Sequence, residues 1–161
     1  MLRVVFPGTF DPPTNGHLNI IQRCAAIYDE IEVVIAMNRR KDSTFTPEER
    51  LKLMQDMVSA FPNVRVHVWD RLIVEFAEKI GARLMVRGVR ALSDFEYEFE
   101  LSLINRGLDS RIETVLLPTD PKYFVLRSSA IKELARLDGD ISGMVPANVA
   151  TALRDRLSES V

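Results

Sequence analysis

The chain has 161 residues, of which 47% are apolar and 27% charged, and its formal net charge is −2. This composition excludes the disordered and fibrous classes, and the small net charge gives no reason to expect a nucleic-acid partner. The single cysteine, Cys24, excludes an internal disulfide framework and is expected to be a buried thiol in a reducing compartment. The first apolar run stops at residues 7–8, and no run approaches the ~20 residues that span a bilayer. We therefore expect a cytoplasmic protein without a membrane partner.

Short apolar runs alternate with segments of helical period along the chain. The predicted strands are residues 2–6, 31–37, 64–69, 84–86 and 114–117. The predicted helices are residues 16–28, 47–60, 72–80, 92–106, 128–136 and 147–157. Residues 64–69 alternate between apolar and polar side chains, which favours a strand near the sheet edge. The alternation of strands and helices predicts one α/β domain, residues 1–161, around an open, mostly parallel sheet.

The most informative segment is residues 6–17, Phe-Pro-Gly-Thr-Phe-Asp-Pro-Pro-Thr-Asn-Gly-His, between the first strand and the first helix. Glycine lets a backbone approach a ligand closely, and a helix N-terminus presents free N–H groups with a partial positive charge. Thr9 and His17 add side-chain donors, so the segment favours phosphate binding. It matches neither the dinucleotide fingerprint nor the Walker A loop. A tight turn with a capping histidine remains the structural alternative.

Two basic segments follow other predicted strands. Residues 38–41, Asn-Arg-Arg-Lys, come after the second strand, and Arg87-Gly88-Val89-Arg90 end the fourth. The carboxyl ends of parallel strands meet at one sheet edge, where ligands of such folds bind. Guanidinium groups match phosphate oxygens in pairs. We therefore expect an anion at this edge, although solvated surface patches would have the same composition.

The helix predicted at 92–106 has two apolar stripes. At about 100° per residue, one stripe is Leu92, Phe95, Phe99 and Leu103, and the other is Tyr97, Leu101 and Ile104. We expect one stripe to pack against the protein's own sheet and the other against a second subunit. Glu98 lies on a polar stripe between them and is the carboxylate expected to face a site. The alternative is that Glu96, Glu98 and Glu100 are all solvated.

The remaining polar candidates are less specific. Ser128 and Ser129 begin a predicted helix, where serine often serves only as an N-cap. His67 lies within an alternating strand and is expected to be structural. The sequence has no Cys-x-x-Cys, His-Glu-x-x-His or Gly-x-Ser-x-Gly motif, so neither a metal centre nor a serine nucleophile is expected.

Together the motifs resemble one enzyme family. Pro7-Gly8-Thr9-Phe10-Asp11-Pro12 with Thr14-Asn15-Gly16-His17 resembles the first signature of the nucleotidylyltransferase superfamily. Ser128-Ser129 with Lys132 resembles its Ile-Ser-Ser-Thr-x-x-[Arg/Lys] element. Arg87-Gly88-Val89-Arg90 and the segment 94–98, Asp-Phe-Glu-Tyr-Glu, narrow the resemblance to the bacterial phosphopantetheine adenylyltransferase family. That resemblance implies a Rossmann-like domain with a five-stranded parallel sheet and helices on both faces.

The resemblance also implies a reaction. AMP would pass from ATP to 4'-phosphopantetheine by in-line attack on the α-phosphate, with Mg²⁺ bound mainly through the ATP phosphates and no covalent enzyme intermediate. The implied catalytic residues are Thr9, His17, Lys41 and Arg90, with His17 stabilising the transition state. The implied ATP contacts are Thr9, Phe10, His17, Gly88, Val89, Arg90, Glu98, Tyr123, Phe124, Val125, Leu126, Arg127, Ser128 and Ser129. The implied phosphopantetheine contacts are Thr9, Lys41, Ile73 and Arg87. A homohexamer and feedback inhibition by coenzyme A are implied as well.

One position departs from the family pattern. Arg127 stands where the family's Ile-Ser-Ser-Thr element has its first hydroxyl, which puts a hydroxyl contact there in doubt, although an arginine could reach the same phosphates. The closest alternative is another nucleotidylyltransferase that uses nicotinamide mononucleotide or a cytidylyl donor. The alternative from a different class is a non-enzymatic nucleotide-binding regulator. The basic trio Lys41, Arg87 and Arg90 favours an enzyme, because it suits two anionic ligands that meet.

Overall fold

The computed structural model describes residues 1–37 and 42–158. Five strands alternate with helices along the chain. The strands are β1 (Arg3–Gly8), β2 (Glu30–Ala36), β3 (Val64–Trp69), β4 (Leu84–Val89) and β5 (Glu113–Pro118). The helices are α1 (Asn15–Ala25), α2 (Pro47–Val58), α3 (Ile73–Ile80), α4 (Leu92–Leu108), α5 (Ser128–Arg136) and α6 (Ala147–Ser158), and a 3-10 turn spans Pro121–Tyr123. All the predicted strands and helices are present. Helix α1 ends three residues early, because Ile27 and Tyr28 donate to the Cys24 carbonyl and form a turn.

The strands form one parallel sheet in the order β3-β2-β1-β4-β5. The position of β3 at the edge confirms the prediction from its alternating side chains. Strand β1 pairs with β2 from Arg3↔Glu30 to Gly8↔Ile35, whereas it pairs with β4 only near Val4 and Val5. The two central strands therefore separate towards their carboxyl ends, where a crevice opens between them.

Apolar side chains cover both faces of the sheet, which confirms the predicted architecture. On one face, Val4 and Phe6 pack with residues of α1 and α2 such as Ile20 and Met54. On the other face, Val5 and Met85 pack with Val74 and Phe76 of α3. A third cluster joins α5 and α6, with Ile131, Val149 and Leu153 at its centre. The free thiol of Cys24 is buried in the first cluster, and burial raises its pKa to about 11.

The orientation of α4 differs from the prediction. Neither apolar stripe packs against the sheet as a whole, because Leu101 is the one stripe residue of this helix that is turned inwards. The other inward side chains are polar: Asp94, Glu98, Ser102 and Asn105. The outward-facing large residues are Leu92, Phe95, Tyr97, Phe99, Leu103, Ile104 and Leu108. The reason is a pair of salt bridges between elements: Glu98 and Asp94 are bound by Arg87 and Arg90 at the end of β4, which turns the polar stripe towards the sheet.

Among the residues described, no helix has the length and apolar character needed to cross a bilayer. His67 has a structural partner, because its Nε2 lies 2.6 Å from Oε2 of the buried Glu32. Its ring also packs against Phe76, with the ring centroids 5.2 Å apart.

Candidate active site

A cavity of about 380 Å³ lies at the carboxyl ends of β1 and β4, where the strand order of the sheet reverses. Open parallel sheets bind their ligands at this position. The lining comes from the loop after β1, the start of α1, the end of β4, one residue of α4 and the segment that leads into α5. The lining residues are Phe6, Pro7, Gly8, Thr9, Phe10, Thr14, Gly16, His17, Ile20, Arg87, Gly88, Arg90, Glu98, Thr119, Leu126, Arg127, Ser128 and Ser129.

Most of the predicted site residues meet at this cavity, and several do not. Ile73 begins α3 and packs with the apolar cluster on that helix's face of the sheet. Tyr123 packs against the cluster between α5 and α6, whereas Phe124 and Val125 are exposed. Val89 ends β4 without being one of the lining residues above. Lys41 and its basic segment 38–41 lie outside the described residues.

His17 is held in one tautomer by the start of α1. The Thr14 backbone N–H donates to His17 Nδ1 at 3.0 Å, and the His17 N–H donates back to Thr14 Oγ1 at 3.3 Å. This reciprocal pair is a capping box. A backbone N–H can only donate, so Nδ1 is the acceptor and the ring proton of the neutral imidazole sits on Nε2. His17 can therefore cap the helix and also bind phosphate, since the cap occupies Nδ1 and leaves Nε2–H as a donor.

The charge state of His17 follows from its surroundings. Burial, followed by the positive charges of Arg90 and Arg87, lowers the pKa of His17 from 6.5 to about 4. Each effect disfavours a second proton on the ring. At neutral pH the imidazole is therefore an uncharged hydrogen-bond donor at the floor of the cavity.

The loop after β1 contains a strained residue. Phe10 is buried and has φ +48°, in the left-handed region that costs a non-glycine residue about 1–2 kcal/mol. Its ring turns back over Gly8, where an added Cβ would lie only 2.8 Å from Phe10 Cζ. The same ring meets His17 edge-on, with the ring centroids 4.9 Å apart at 75°. Gly8, Phe10 and His17 thus form one packed unit at the cavity wall.

Arg87 is paired with Glu98 in a fork geometry. Arg87 Nε and Nη2 donate to the two carboxylate oxygens of Glu98 at 2.6 and 2.8 Å, and Nη1 donates to the Pro7 carbonyl at 2.6 Å. Glu98 is only 7% exposed. Three fixed contacts hold the guanidinium in one orientation, and the third ties it to the loop that carries Thr9.

Arg90 connects the end of β4 to the segment before α5. Its Nε donates to Asp94 Oδ2 at 3.0 Å, and its Nη1 donates to the Leu126 carbonyl at 2.8 Å. Asp94 also accepts from the Arg90 backbone N–H at 3.1 Å. The arginine therefore positions one wall of the cavity as well as contributing charge.

The start of α5 forms the opposite wall. Arg127 occupies the N-cap position without a side-chain capping bond, so neither serine is the N-cap residue. The Ser128 hydroxyl donates to the Pro12 carbonyl at 3.2 Å, which joins α5 to the loop after β1. Arg87 and Arg90 are ion-paired, whereas Arg127 has no ion-pair partner within residues 1–37 and 42–158. Among the described lining arginines, Arg127 is therefore the one whose charge is not already paired with a carboxylate.

Some residues that shape the cavity were not singled out from the sequence. Asp11 accepts from the Thr44 and Phe45 backbone N–H groups at 2.8 and 3.0 Å and lies 3.7 Å from Lys132 Nζ. Thr119 lines the cavity from the loop after β5. Asp11 lies inside the first motif, so its position pointed to the site, but its partners are 33 and 34 residues away in the chain. Only tertiary structure reveals such contacts.

The chemistry available here is the binding of phosphate groups. A helix N-terminus, a neutral imidazole donor and arginines converge on one cavity, which suits polyphosphate oxygens. Within the described residues there is no group of three or more histidine, cysteine, aspartate or glutamate side chains that would hold a metal ion. The site can therefore position phosphates and stabilise developing negative charge.

Comparison with known proteins agrees with this arrangement. The family model described as cytidylyltransferase-like matches residues 5–134. A phosphopantetheine adenylyltransferase from Dictyoglomus thermophilum is 47% identical over 97% of this chain and 95% of its own length. Proteins of the same name from Desulforudis audaxviator and Staphylococcus carnosus are 46% and 43% identical, over 94% and 98% of this chain and 93% and 98% of their own lengths.

A solved structure shares the fold. The protein, from Vibrio parahaemolyticus, is described as a "Putative Nicotinate-nucleotide Adenylyltransferase". It superposes with a TM-score of 0.73 over 100% of this chain and 98% of its own, at 19% identity. At that identity the likeness concerns the fold alone, and it agrees with the Rossmann-like arrangement described above.

Proposed function

The chain belongs to the phosphopantetheine adenylyltransferase family, and we propose that it transfers AMP from ATP to 4'-phosphopantetheine. An oxygen of the acceptor's phosphate attacks the α-phosphorus of ATP. The bond from that phosphorus to the β-phosphate oxygen breaks, pyrophosphate leaves, and dephospho-coenzyme A is formed. The observation that carries this proposal is identity above 40% over nearly the whole of several curated relatives with this activity in their name.

The cavity supports direct, in-line transfer. Its phosphate-binding groups are fixed before the substrates arrive, so catalysis would come from positioning and from stabilising charge as it develops. His17 Nε2–H would donate to an oxygen of the α-phosphate as that oxygen gains charge. We expect His17→Ala to leave ATP affinity nearly intact and to lower kcat about 100-fold, the usual effect of losing such a donor. Equal losses of ATP affinity and of kcat would indicate that His17 is only structural.

The acceptor phosphate is assigned to Thr9, Lys41 and Arg87. The Arg87 fork is oriented by Glu98, so it would present a fixed edge to a second anion beside ATP. Lys41→Ala should raise KM for phosphopantetheine and leave KM for ATP unchanged, because it removes one acceptor contact. Lys52→Ala, an exposed lysine on α2, is the matched control. An unchanged KM for phosphopantetheine in Lys41→Ala would refute the assignment. Ile73 is proposed to contact the pantetheine arm.

ATP is assigned to the wall formed by β4 and the segment before α5. The proposed contacts are Thr9, Phe10, His17, Gly88, Val89, Arg90, Glu98 and residues 123–129. An added Cβ at Gly88 would lie 3.2 Å from Ile20 Cγ1, so the backbone of β4 packs closely against α1 at this point. Arg127 would reach the outer phosphates in place of the family's hydroxyl. Arg127→Ser should raise KM for ATP, whereas Arg136→Ser, an exposed arginine at the far end of α5, should not.

Mg²⁺ is proposed to enter with ATP, bound through the phosphate oxygens. The lining fits binding through the phosphates, because both carboxylate oxygens of Glu98 already accept hydrogen bonds from Arg87. Glu98 is therefore not a free ligand for the metal. The metal would supply charge neutralisation at the phosphates. The residues of the cavity would hold the remaining phosphate oxygens and orient the α-phosphorus towards the acceptor.

A homohexamer and feedback inhibition by coenzyme A are proposed as well. The outward apolar residues of α4 support assembly, since a contiguous apolar surface of this kind marks an interaction site. Phe95 and Phe99 stack there with ring centroids 6.0 Å apart. Coenzyme A contains the pantetheine arm of the acceptor, so it would compete for the acceptor site. Native mass spectrometry measures the assembly, and inhibition that rising phosphopantetheine overcomes would support the competition.

The deciding experiment mixes the protein with ATP, MgCl₂ and 4'-phosphopantetheine and measures pyrophosphate and dephospho-coenzyme A. Parallel reactions replace the acceptor with nicotinamide mononucleotide, or ATP with CTP. Product only in a parallel reaction would overturn the proposal in favour of another nucleotidylyltransferase. ATP binding without turnover of any acceptor would favour a nucleotide-binding regulator.

A further inference from the structure

Arg50 is a buried arginine on α2 that lies behind the cavity rather than in its lining. Arg50 is only 3% exposed. Its Nη1 donates to the Thr9 carbonyl at 2.9 Å, and its Nε lies 3.4 Å from the Thr46 carbonyl. Among residues 1–37 and 42–158, these side-chain contacts are with main-chain carbonyls and not with carboxylates. A buried guanidinium is costly, so the shorter of the two bonds, which goes to the loop carbonyl of Thr9, indicates a specific task for that contact.

The Thr9 carbonyl belongs to the peptide plane between Thr9 and Phe10. The orientation of that plane sets φ of Phe10, which is +48°. A hydrogen bond from a charged donor to this oxygen holds the plane in the strained orientation, because rotation of the plane would break the bond. The bond from Arg50 therefore stabilises the backbone conformation in which Thr9 lines the cavity.

The segment before α2 holds the same loop at a second point. Asp11 accepts from the Thr44 and Phe45 N–H groups, so the loop is tied from behind on both sides of Phe10. The ring of Phe10 in turn meets His17 edge-on at a centroid distance of 4.9 Å. A change in the plane of residues 9 and 10 would thus displace both Thr9 and the ring that packs on His17.

We infer that Arg50 is a positioning residue that holds Thr9 and Phe10, and through Phe10 the His17 imidazole, in the geometry needed for adenylyl transfer. This inference rests on the proposed function, because it assigns Thr9 and His17 to the phosphates. Arg50 touches no substrate itself. Its loss therefore changes the rate of the chemical step more than the affinity for either substrate.

The test compares Arg50→Gln and Arg50→Lys with Arg3→Gln. Arg3 also donates to a main-chain carbonyl, that of Ile80, but lies at the opposite end of β1 from the cavity. We expect Arg50→Gln to lower kcat about tenfold, a change that corresponds to about 1.4 kcal/mol, with KM for ATP altered less than twofold. Arg50→Lys keeps one charged donor and should recover part of kcat. Arg3→Gln should keep kcat even though it loses stability.

A double-variant cycle isolates the route through Thr9. If Arg50 acts by orienting Thr9, Arg50→Gln should lower kcat less in a Thr9→Ala background than in the wild type. Equal loss of kcat in Arg3→Gln would overturn the inference, and equal effects of Arg50→Gln in both backgrounds would overturn the route through Thr9. If Arg50→Gln does not fold, Arg50→Lys carries the same cycle.

A readout without turnover separates this inference from the proposed function. In the free protein, the ¹⁵N–¹H resonances of Thr9 and Phe10 and the His17 ring resonances should shift in Arg50→Gln and not in Arg3→Gln. Unchanged resonances would refute the positioning role even in an active enzyme. Absence of pyrophosphate from the wild type with every acceptor would refute the proposed function while leaving this measurement valid.

Discussion

Protonation of His17 at low pH should lower the free energy of unfolding of this protein by a predictable amount. The His17 pKa is lowered from 6.5 to about 4 by burial and by the charges of Arg90 and Arg87. The folded state therefore favours the neutral ring, and the unfolded chain takes up the proton first as the pH falls. The stability associated with His17 is complete above pH 6.5 and is lost as the pH falls towards 4. Between pH 7 and pH 5 the loss works out at about 2 kcal/mol.

The assay is urea denaturation of the wild type and of His17→Asn at pH 7 and pH 5. Asparagine cannot titrate, yet its side-chain oxygen can still accept the Thr14 N–H, so the helix cap is preserved. The free energy of unfolding of the wild type should fall by about 2 kcal/mol more than that of the variant. His67 is present in both proteins, so any contribution from it cancels in the difference. An equal pH dependence in the two proteins, or an NMR titration of His17 near 6.5, would refute the reasoning.

Three further predictions follow from specific contacts. Glu98→Gln should lower the free energy of unfolding by about 2 kcal/mol, because Arg87 loses a buried charged partner; an unchanged denaturation midpoint would contradict this. Gly8→Ala should cost about 1–3 kcal/mol of stability and also lower kcat, because the new Cβ would lie 2.8 Å from Phe10 Cζ. Wild-type values of both quantities would show that the loop relaxes freely. Thr46→Ala removes the α2 capping bond and should lower the stability by about 1 kcal/mol, measured by thermal denaturation. Thr46→Ser keeps the capping hydroxyl and should retain the wild-type stability.

The strands and helices were predictable because their signals are local. Continuous apolar runs and the 3.6-residue period do not depend on distant partners, so the existence of each element could be inferred. The orientation of α4 could not be inferred, because the helix has two apolar stripes that could pack against the sheet, whereas in the structure the polar stripe faces it. The ion pair between Glu98 and Arg87 sets this orientation, and the two residues come from different elements.

Some residues of the candidate site could likewise be predicted from local sequence patterns, and others could not. The Gly-Thr-Phe-Asp loop, His17 and the Arg87-Gly88-Val89-Arg90 segment were visible as motifs, because they are short stretches of sequence at the end of a strand or soon after it. Parallel pairing then brings the ends of these strands to one edge. The roles of Arg50 and Asp11 were not visible, since their partners are distant in the chain and main-chain carbonyls and N–H groups leave no sequence signal.

The α/β architecture and the family to which the chain belongs could be inferred from the sequence, which also predicts that the first loop binds phosphate. The protonation and orientation of the groups in that loop follow from contacts made in the folded protein. The Thr14 N–H assigns the His17 proton to Nε2, burial beside two arginines keeps the ring neutral, and Arg50 holds Phe10 in a left-handed conformation. The physical reason is that motifs specify which groups are present, whereas protonation and orientation depend on neighbours that folding brings within a few ångströms.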